Sequence, residues 1–232
     1  MDVRELPGLA HLPYAEVWFR EIDDARWRDA STKARALGKT GLEVWTTDET
    51  PEVVAFLAAR GYDEVRHYVI SELDVANAPD LGPPSLDVAT LAERPVPAET
   101  LYAIALESYR DQPGRDETII GDLDTWRRFG LDPHPPESYF VAHDGDDILG
   151  YAYLAPENGV WTHGFAAVAR AHRGRGVAGA LKRAQIRWAK ANGIASLRTA
   201  TETRLGQMLA LNERFDYRPL YTEIVLRGPL IR

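Results

Sequence analysis

The sequence predicts an α/β chain of the α+β kind, a mixed central sheet flanked by helices with a smaller α/β segment ahead of it. Three observations carry this. Strand-like and helix-like stretches alternate through most of the 232 residues. Ala76 to Pro84 holds three prolines and one glycine in nine residues, which neither a helix nor a central strand accepts. That stretch reads as a linker, and it divides the chain into 1–75, a linker at 76–85, and 86–232. Lastly, a strand of small residues, Gly164 to Val168, runs into a basic, glycine-rich turn and then an amphipathic helix.

In the first segment, Ala15–Phe19 reads as a strand and Asp24–Leu37 as a helix that Gly38 ends. Leu42–Thr46 is a second strand. Thr50 and Pro51 open the next helix as N-cap and first helical residue, and Gly61 closes it. Glu64–Leu73 alternates like a strand. In the second segment a strand at Leu86–Leu91 precedes a helix over Pro97–Tyr109. Asp111-Gln112-Pro113-Gly114 is a turn, Asp124–Phe129 a short helix, and Asp132–Pro136 a rigid loop. Ser138–His143 and Ile148–Ala155 form a hairpin across Asp144-Gly145-Asp146-Asp147. Glu157-Asn158-Gly159 turns the chain into a strand over Val160–Val168. A helix over Arg175–Asn192 follows, with Leu181, Ala184, Trp188 and Ala191 on one face and Gly193 as its stop. Ala195–Thr201 is a strand, Leu205–Phe215 a helix and Tyr221–Leu226 the closing strand.

Composition narrows the function classes. Apolar residues make up 45% and charged residues 27%, ordinary values for a globular chain. No stretch of eighteen apolar residues predicts a membrane span. Met1 to Glu5 lacks the basic and apolar segments of a signal peptide. With zero cysteines, disulfides, thiolate metal sites and a Cys nucleophile are excluded, and the cytoplasm is the expected compartment. No metal site is expected. A net charge of −8 and a pI near 5.3 argue against nucleic-acid binding, and the lack of an apolar span argues against a membrane partner.

One window departs from that charge balance. From Asn158 through Thr201 there are eight Arg and Lys and no Asp or Glu. Glycines at a helix start with basic neighbours suit one bound polyphosphate, since free N–H groups and the helix dipole both favour an anion. Gly174-Arg175-Gly176-Val177-Ala178-Gly179 matches the dinucleotide pattern G-x-G-x-x-G, but a lone match is weak. That pattern places the first glycine directly after the strand and an acid at the end of the next one. Here five residues separate Val168 from Gly174, and the next strand carries Arg198 and no acid.

Arg173-x-x-Gly176-x-Ala178 resembles the Q/R-x-x-G-x-G/A acyl-CoA signature of the GNAT superfamily of N-acetyltransferases. Val168 before it and Leu181 after it are in register. Met208 to Pro219 resembles that family's last helix and the N-x-x-L-G-F turn after it. The resemblance spans Leu86 to Leu226. It implies a central sheet splayed between the strands at Val168 and Ala195, with acetyl-CoA as co-substrate and no metal. Backbone N–H groups of Arg173, Gly174, Arg175, Gly176, Val177 and Ala178 would hold the pyrophosphate. Arg175, Lys182 or Arg183 would meet the 3′-phosphate. The backbone of Ala166, Ala167 and Val168 would pair with the pantetheine, and the small Gly164, Ala166 and Ala167 would let it come close. Phe56 to Tyr62 resembles a second copy of the final helix and turn. That makes the first segment a degenerate, truncated half-repeat, as in tandem members of the family.

The same comparison implies direct attack of a primary amine on the thioester, with a small molecule or peptide as acceptor and a monomer or homodimer as the working form. It leaves the proton-transfer groups open. Asn212 stands where many members carry a tyrosine acid, so it is expected to contact the cofactor. That departure also leaves room for a non-catalytic acyl-CoA sensor or interaction module. Glu202 and His163 are the candidate bases, and Tyr217 an alternative acid. Strand alternation groups Thr162 and Gly164 with Val168, and His163 points away unless a bulge re-aims it. Tyr109, Asp111 and Trp126 are the candidate acceptor contacts, Asp111 through a cationic amine or simply as a turn residue.

Overall fold

The computed structural model describes residues 2–6, 11–79, 82–112, 120–157 and 159–231, and the chain divides into two compact units. The first takes residues 1–70, 200–206 and 219–232; the second takes 71–199 and 207–218. Division by compactness thus differs from division by composition. The chain passes between units inside the strands at Ile70/Ser71 and Thr199/Ala200, and the proline-rich stretch falls within the second unit. The expected turns at 111–114 and 157–159 lie partly outside the described residues.

The first unit begins with β1 (Val3–Glu5), β2 (Tyr14–Trp18), α1 (Asp24–Ala36), β3 (Gly41–Thr47) and α2 (Pro51–Ala58). β4 (Asp63–Asp74) follows, and the last strand, β10 (Arg218–Pro229), lies between β3 and β4. β1, too short and polar to show in the sequence pattern, adds antiparallel to β2. β2 and β3 are parallel, and β10 runs antiparallel to β3. Asp23 caps α1 by accepting from the Arg26 N–H at 2.8 Å. Thr50 caps α2 without a side-chain bond to the helix; its hydroxyl donates to the Thr47 carbonyl instead. Val17, Ala34, Leu42, Val44, Leu57, Tyr62 and Leu226 close the core.

In the second unit the sheet order runs β4-β9-β8-β7-β6-β5. β5 is Asp87–Thr90, β6 Tyr139–Asp144, β7 Asp147–Glu157, β8 Val160–Val168 and β9 Ser196–Glu202. β5 to β8 are antiparallel neighbours, while β8 and β9 are parallel. The sheet is therefore mixed, as expected. α3 (Ala98–Arg110) packs on one face with α4 (Leu123–Trp126), around Leu101, Ala105, Tyr139, Val141 and Tyr151. A single π-helical turn, Arg127–Leu131, extends α4. α5 (Val177–Ala191) packs on the other face with Leu154, Leu197, Phe215 and Tyr217, and α6 (Gly206–Arg214) follows β9.

α5 buries Val177, Leu181, Lys182, Gln185, Ile186 and Ala189. The buried stripe is thus rotated from the one drawn through Ala184 and Trp188, and it takes in two polar side chains. Among the described residues no helix is long and apolar enough to cross a membrane.

Candidate functional site

β8 and the turn after it organise the site. β8 pairs with β7 in regular register from Gly150↔Val168 to Ala152↔Ala166, then resumes at Leu154↔His163. Tyr153 alone therefore faces both Gly164 and Phe165, a β-bulge. The extra residue reverses the alternation, so His163 turns to the α5 face, where Val168 and Trp161 also pack. A strict period of two would have sent it the other way. Gly164 is needed here because a Cβ on it would sit 1.9 Å from the Tyr153 ring. The space expected for a ligand chain at Gly164 is thus filled by this tyrosine. Ala167 is buried under α3, and Ala166 is exposed.

On its other side β8 pairs with β9 over only three residues, Trp161↔Leu197 to His163↔Thr199. Beyond His163 the β8 edge continues to Val168 without a β9 partner. That leaves a short row of backbone N–H and C=O groups of the kind an extended ligand completes.

After Val168 a 3-10 turn at Arg170–His172 leads to Gly174 and Gly176, with φ of 76° and 79°. Both angles favour glycine. Gly176 is the N-cap of α5 and offers no side-chain acceptor. The first intrahelical bond runs from the Ala180 N–H to the Gly176 carbonyl at 2.9 Å. The N–H groups of Val177, Ala178 and Gly179 therefore have no acceptor within the helix, and they sit at its positive end. Arg175 is exposed nearby.

Asp111 stands at the turn that ends α3, one of the two roles expected for it. As the last-turn cap of α3, it binds Arg170 at 2.7 Å and pairs closely with Arg173. Hydrogen bonds from Arg170, then Arg173, hold its carboxyl down to about 2. Glu107 accepts from the Arg170 N–H at 2.8 Å, and Arg173 Nε donates to the Val168 carbonyl at 3.1 Å. The carboxylate thus steadies the basic turn and is not left open to a cationic acceptor. Trp126, also expected at the acceptor wall, is buried, with Tyr102 and Tyr151 against its ring. Tyr109 stacks on Phe165 with ring centroids 4.3 Å apart.

Beneath the bulge lies a polar thread inside an apolar core. His163 Nδ1 lies 3.0 Å from Gln185 Oε1, and His163 Nε2 lies 2.5 Å from the Tyr217 hydroxyl. The amide oxygen only accepts, so Nδ1 carries the proton and Nε2 accepts from Tyr217. Burial, then the charge of Lys182, pushes His163 well below its usual range, so the ring is neutral. Burial pushes the Tyr217 phenol up. Lys182 is 6% exposed, its Nζ 4.3 Å from the Tyr217 ring centre, and burial brings it down to about 7. It therefore does not serve the surface as a phosphate contact.

Tyr217 follows Asp216, whose φ of 65° makes the left-handed turn expected there. Asn212 on α6 is buried beside that turn, its carbonyl accepting from the Tyr217 N–H at 3.1 Å. Glu202 belongs to the first unit, where it is buried and paired with Arg204. Gln185 is the site residue that sequence reasoning missed, and Lys182 is the one it placed at the surface. Helical spacing from the buried apolar residues, Gln185 four after Leu181 and Lys182 four before Ile186, was the available signal.

A chain with this bulge, this open edge and this uncapped helix start suits an acyl group carried on a phosphorylated, amide-bearing arm. The model of the acetyltransferase (GNAT) family matches residues 98–216. No curated protein matches the sequence at a significant level. Among solved structures, a GCN5-related N-acetyltransferase from Sphaerobacter thermophilus aligns with a TM-score of 0.73 at 16% identity, covering 100% of this chain and 76% of its own. A tandem GNAT protein from the clavulanic acid biosynthesis pathway aligns at 0.65 and 19% identity, covering 95% and 76%. A GCN5-related N-acetyltransferase from Kribbella flavida aligns at 0.62 and 17%, covering 93% and 81%. At these identities the likeness is one of fold.

Proposed function

The chain belongs to the acetyltransferase (GNAT) family, and from that premise we propose that it is a cytoplasmic N-acetyltransferase that moves the acetyl group of acetyl-CoA to a primary amine. The observation that carries this is the open β8 edge leading into the uncapped start of α5. The N–H groups of Val177, Ala178 and Gly179, with the turn from Arg173 to Gly176, would hold the pyrophosphate. The backbone of Ala166 to Val168 would pair with the pantetheine amides. In the reaction the amine nitrogen bonds to the thioester carbon and the C–S bond breaks. The amine loses a proton and the thiolate gains one.

Tyr217 and His163 are the pair assigned to that proton. The phenol would take it up while passing its own to His163 Nε2, and the path would reverse toward the thiolate. His163 Nε2 carries the lone pair that accepts from the Tyr217 hydroxyl, which gives the proton its path. Glu202 is retained as the alternative base. The segment 1–75 would be a degenerate half-repeat that lacks the glycine turn. Tyr109, on the Phe165 side of β8, is the acceptor contact left by the positions of Asp111 and Trp126.

Thiol release from acetyl-CoA across a panel of primary amines, together with calorimetric titration of CoA, tests the proposal. Release with at least one amine is expected, and Arg173→Glu should remove CoA binding. Absence of CoA binding in the unmodified protein would refute it. Asn212, in the place of the family's tyrosine, favours one second reading, a non-catalytic acyl-CoA-binding module. Binding without thiol release, and with no effect of Tyr217→Phe or Glu202→Gln, would select it.

A further inference from the structure

The second unit holds another pocket, of about 650 Å3, where the start of α3 meets the β6–β7 hairpin. Val96, Ile104 and Ile148 give it an apolar wall. Three polar features converge there. His143, on β6, is 2% exposed, and neither of its ring nitrogens has a hydrogen-bond partner among the described residues. A buried imidazole normally has both nitrogens engaged, because an unmade hydrogen bond in the interior is costly. Burial and then Arg94 push its pKa down, so it offers one donor and one acceptor.

Secondly, α3 starts at this pocket. Its cap is Pro97, which has no side-chain bond to give the first-turn N–H groups, and both Pro97 and Thr100 line the wall. Arg94 stands beside it, donating to Asp87 at 3.3 Å and to the Gly145 carbonyl at 2.7 Å. Its remaining donors are spare. Uncapped N–H groups at a helix start, with a guanidinium, suit a carboxylate. Thirdly, Asp146 and Asp147 line the same pocket, and among the described residues neither has an ion-pair partner. They suit an ammonium group.

We propose that this pocket binds a free α-amino acid. The carboxylate would lie at the start of α3 and Arg94, the ammonium at Asp146 and Asp147, and the side chain against Val96 and Ile104, with His143 completing its hydrogen bonds on the ligand. A pocket lined by both signs of charge discriminates against ligands that carry only one, since the unmatched groups would be desolvated without a partner. The site is built from residues that take no part in the proposed acyl transfer, so it stands or falls independently of that reading.

Calorimetry and thermal unfolding of the full chain with each of the twenty L-amino acids, in the absence of CoA, test the proposal. At least one should bind with one-to-one stoichiometry and raise the melting temperature. Its N-acetyl and α-amide derivatives should each bind at least about tenfold more weakly, as loss of a charge-assisted contact requires. Ala103→Trp, at an exposed position on the pocket wall, should abolish binding while leaving the unliganded melt unchanged. His143→Phe should weaken it as well. No shift with any amino acid would overturn the proposal. So would binding that survives Ala103→Trp, which would place the ligand elsewhere, or equal binding of both blocked derivatives.

Discussion

Replacing Lys182 by Met separates the energetic role of the polar thread from its chemistry. Lys182 is 6% exposed, and burial lowers it from 10.5 to about 7. In the folded chain the amine loses its proton near pH 7; in the unfolded chain it does so only near 10.5. Between those values the unfolded chain binds more protons, so stability rises with pH. At about 1.4 kcal/mol for each pH unit, the gap sets an upper bound of about 5 kcal/mol on the penalty at and below pH 7. About 2 kcal/mol of that is relieved between pH 7 and 9. Met keeps the length and apolar stem and removes the titration, at the loss of a cation–π contact with Tyr217 of about 1 kcal/mol. Urea unfolding of both proteins at pH 7 and pH 9 measures the effect. The unmodified chain should gain about 2 kcal/mol on Lys182→Met across that interval, other groups cancelling in the difference. At pH 7 the variant should be the more stable. An equal stability difference at both pH values would refute the reasoning, because it would mean the amine titrates alike in the folded and unfolded chains.

Gly164→Ala should destabilise the fold by about 1–3 kcal/mol, seen as a lower urea midpoint, since the new methyl meets the packed Tyr153 ring. Asp111→Asn should strengthen CoA binding by about two- to fivefold in calorimetry, because Arg170 and Arg173 no longer share a carboxylate; weaker binding would mean Asp111 orders the turn for the ligand. Gly176→Ala should cost about 1–2 kcal/mol in stability, measured by urea unfolding, because its φ of 79° is left-handed. Tyr217→Phe should leave His163 Nε2 without its donor, lowering stability by about 1–3 kcal/mol and kcat in thiol release, with the KM for acetyl-CoA unchanged.

The order of elements and the glycine turn were legible because they are local. Helix stops at Gly38, Gly61 and Gly193 show in composition, and each has the positive φ that its position demands. Lys182 and Asp111 were not legible, for a shared reason. Each was assigned by charge, and charge alone says nothing about which neighbour the fold supplies. Asp111 meets two arginines 59 and 62 residues away in sequence, and no spacing rule links them. The bulge at Gly164 was foreseen only as a condition on His163. Its cause, one tyrosine facing two residues on the next strand, is a pairing property that emerges only when β7 and β8 meet.

The two halves of the chain offer a comparison that bears on the thread itself. Both units run strand, helix, parallel strand, helix, and then a left-handed residue followed by a buried tyrosine: Gly61-Tyr62 in one, Asp216-Tyr217 in the other. In the first unit the fold satisfies its tyrosine by passive means. The Tyr62 hydroxyl donates to the Pro229 carbonyl at 2.8 Å and accepts from the Trp27 indole at 3.1 Å, with no titratable partner. Burial pushes that phenol up to about 12. In the second unit the equivalent hydroxyl is given to a histidine, and a lysine is buried over its ring. A desolvated amine beside this tyrosine costs stability, and no such amine is needed to satisfy the buried hydroxyl in the first unit. The half that carries the glycine turn bears this cost and the half that lacks the turn does not. That correlation fits the acyl-transfer chemistry proposed for the second unit, where proton-exchanging groups would have a use.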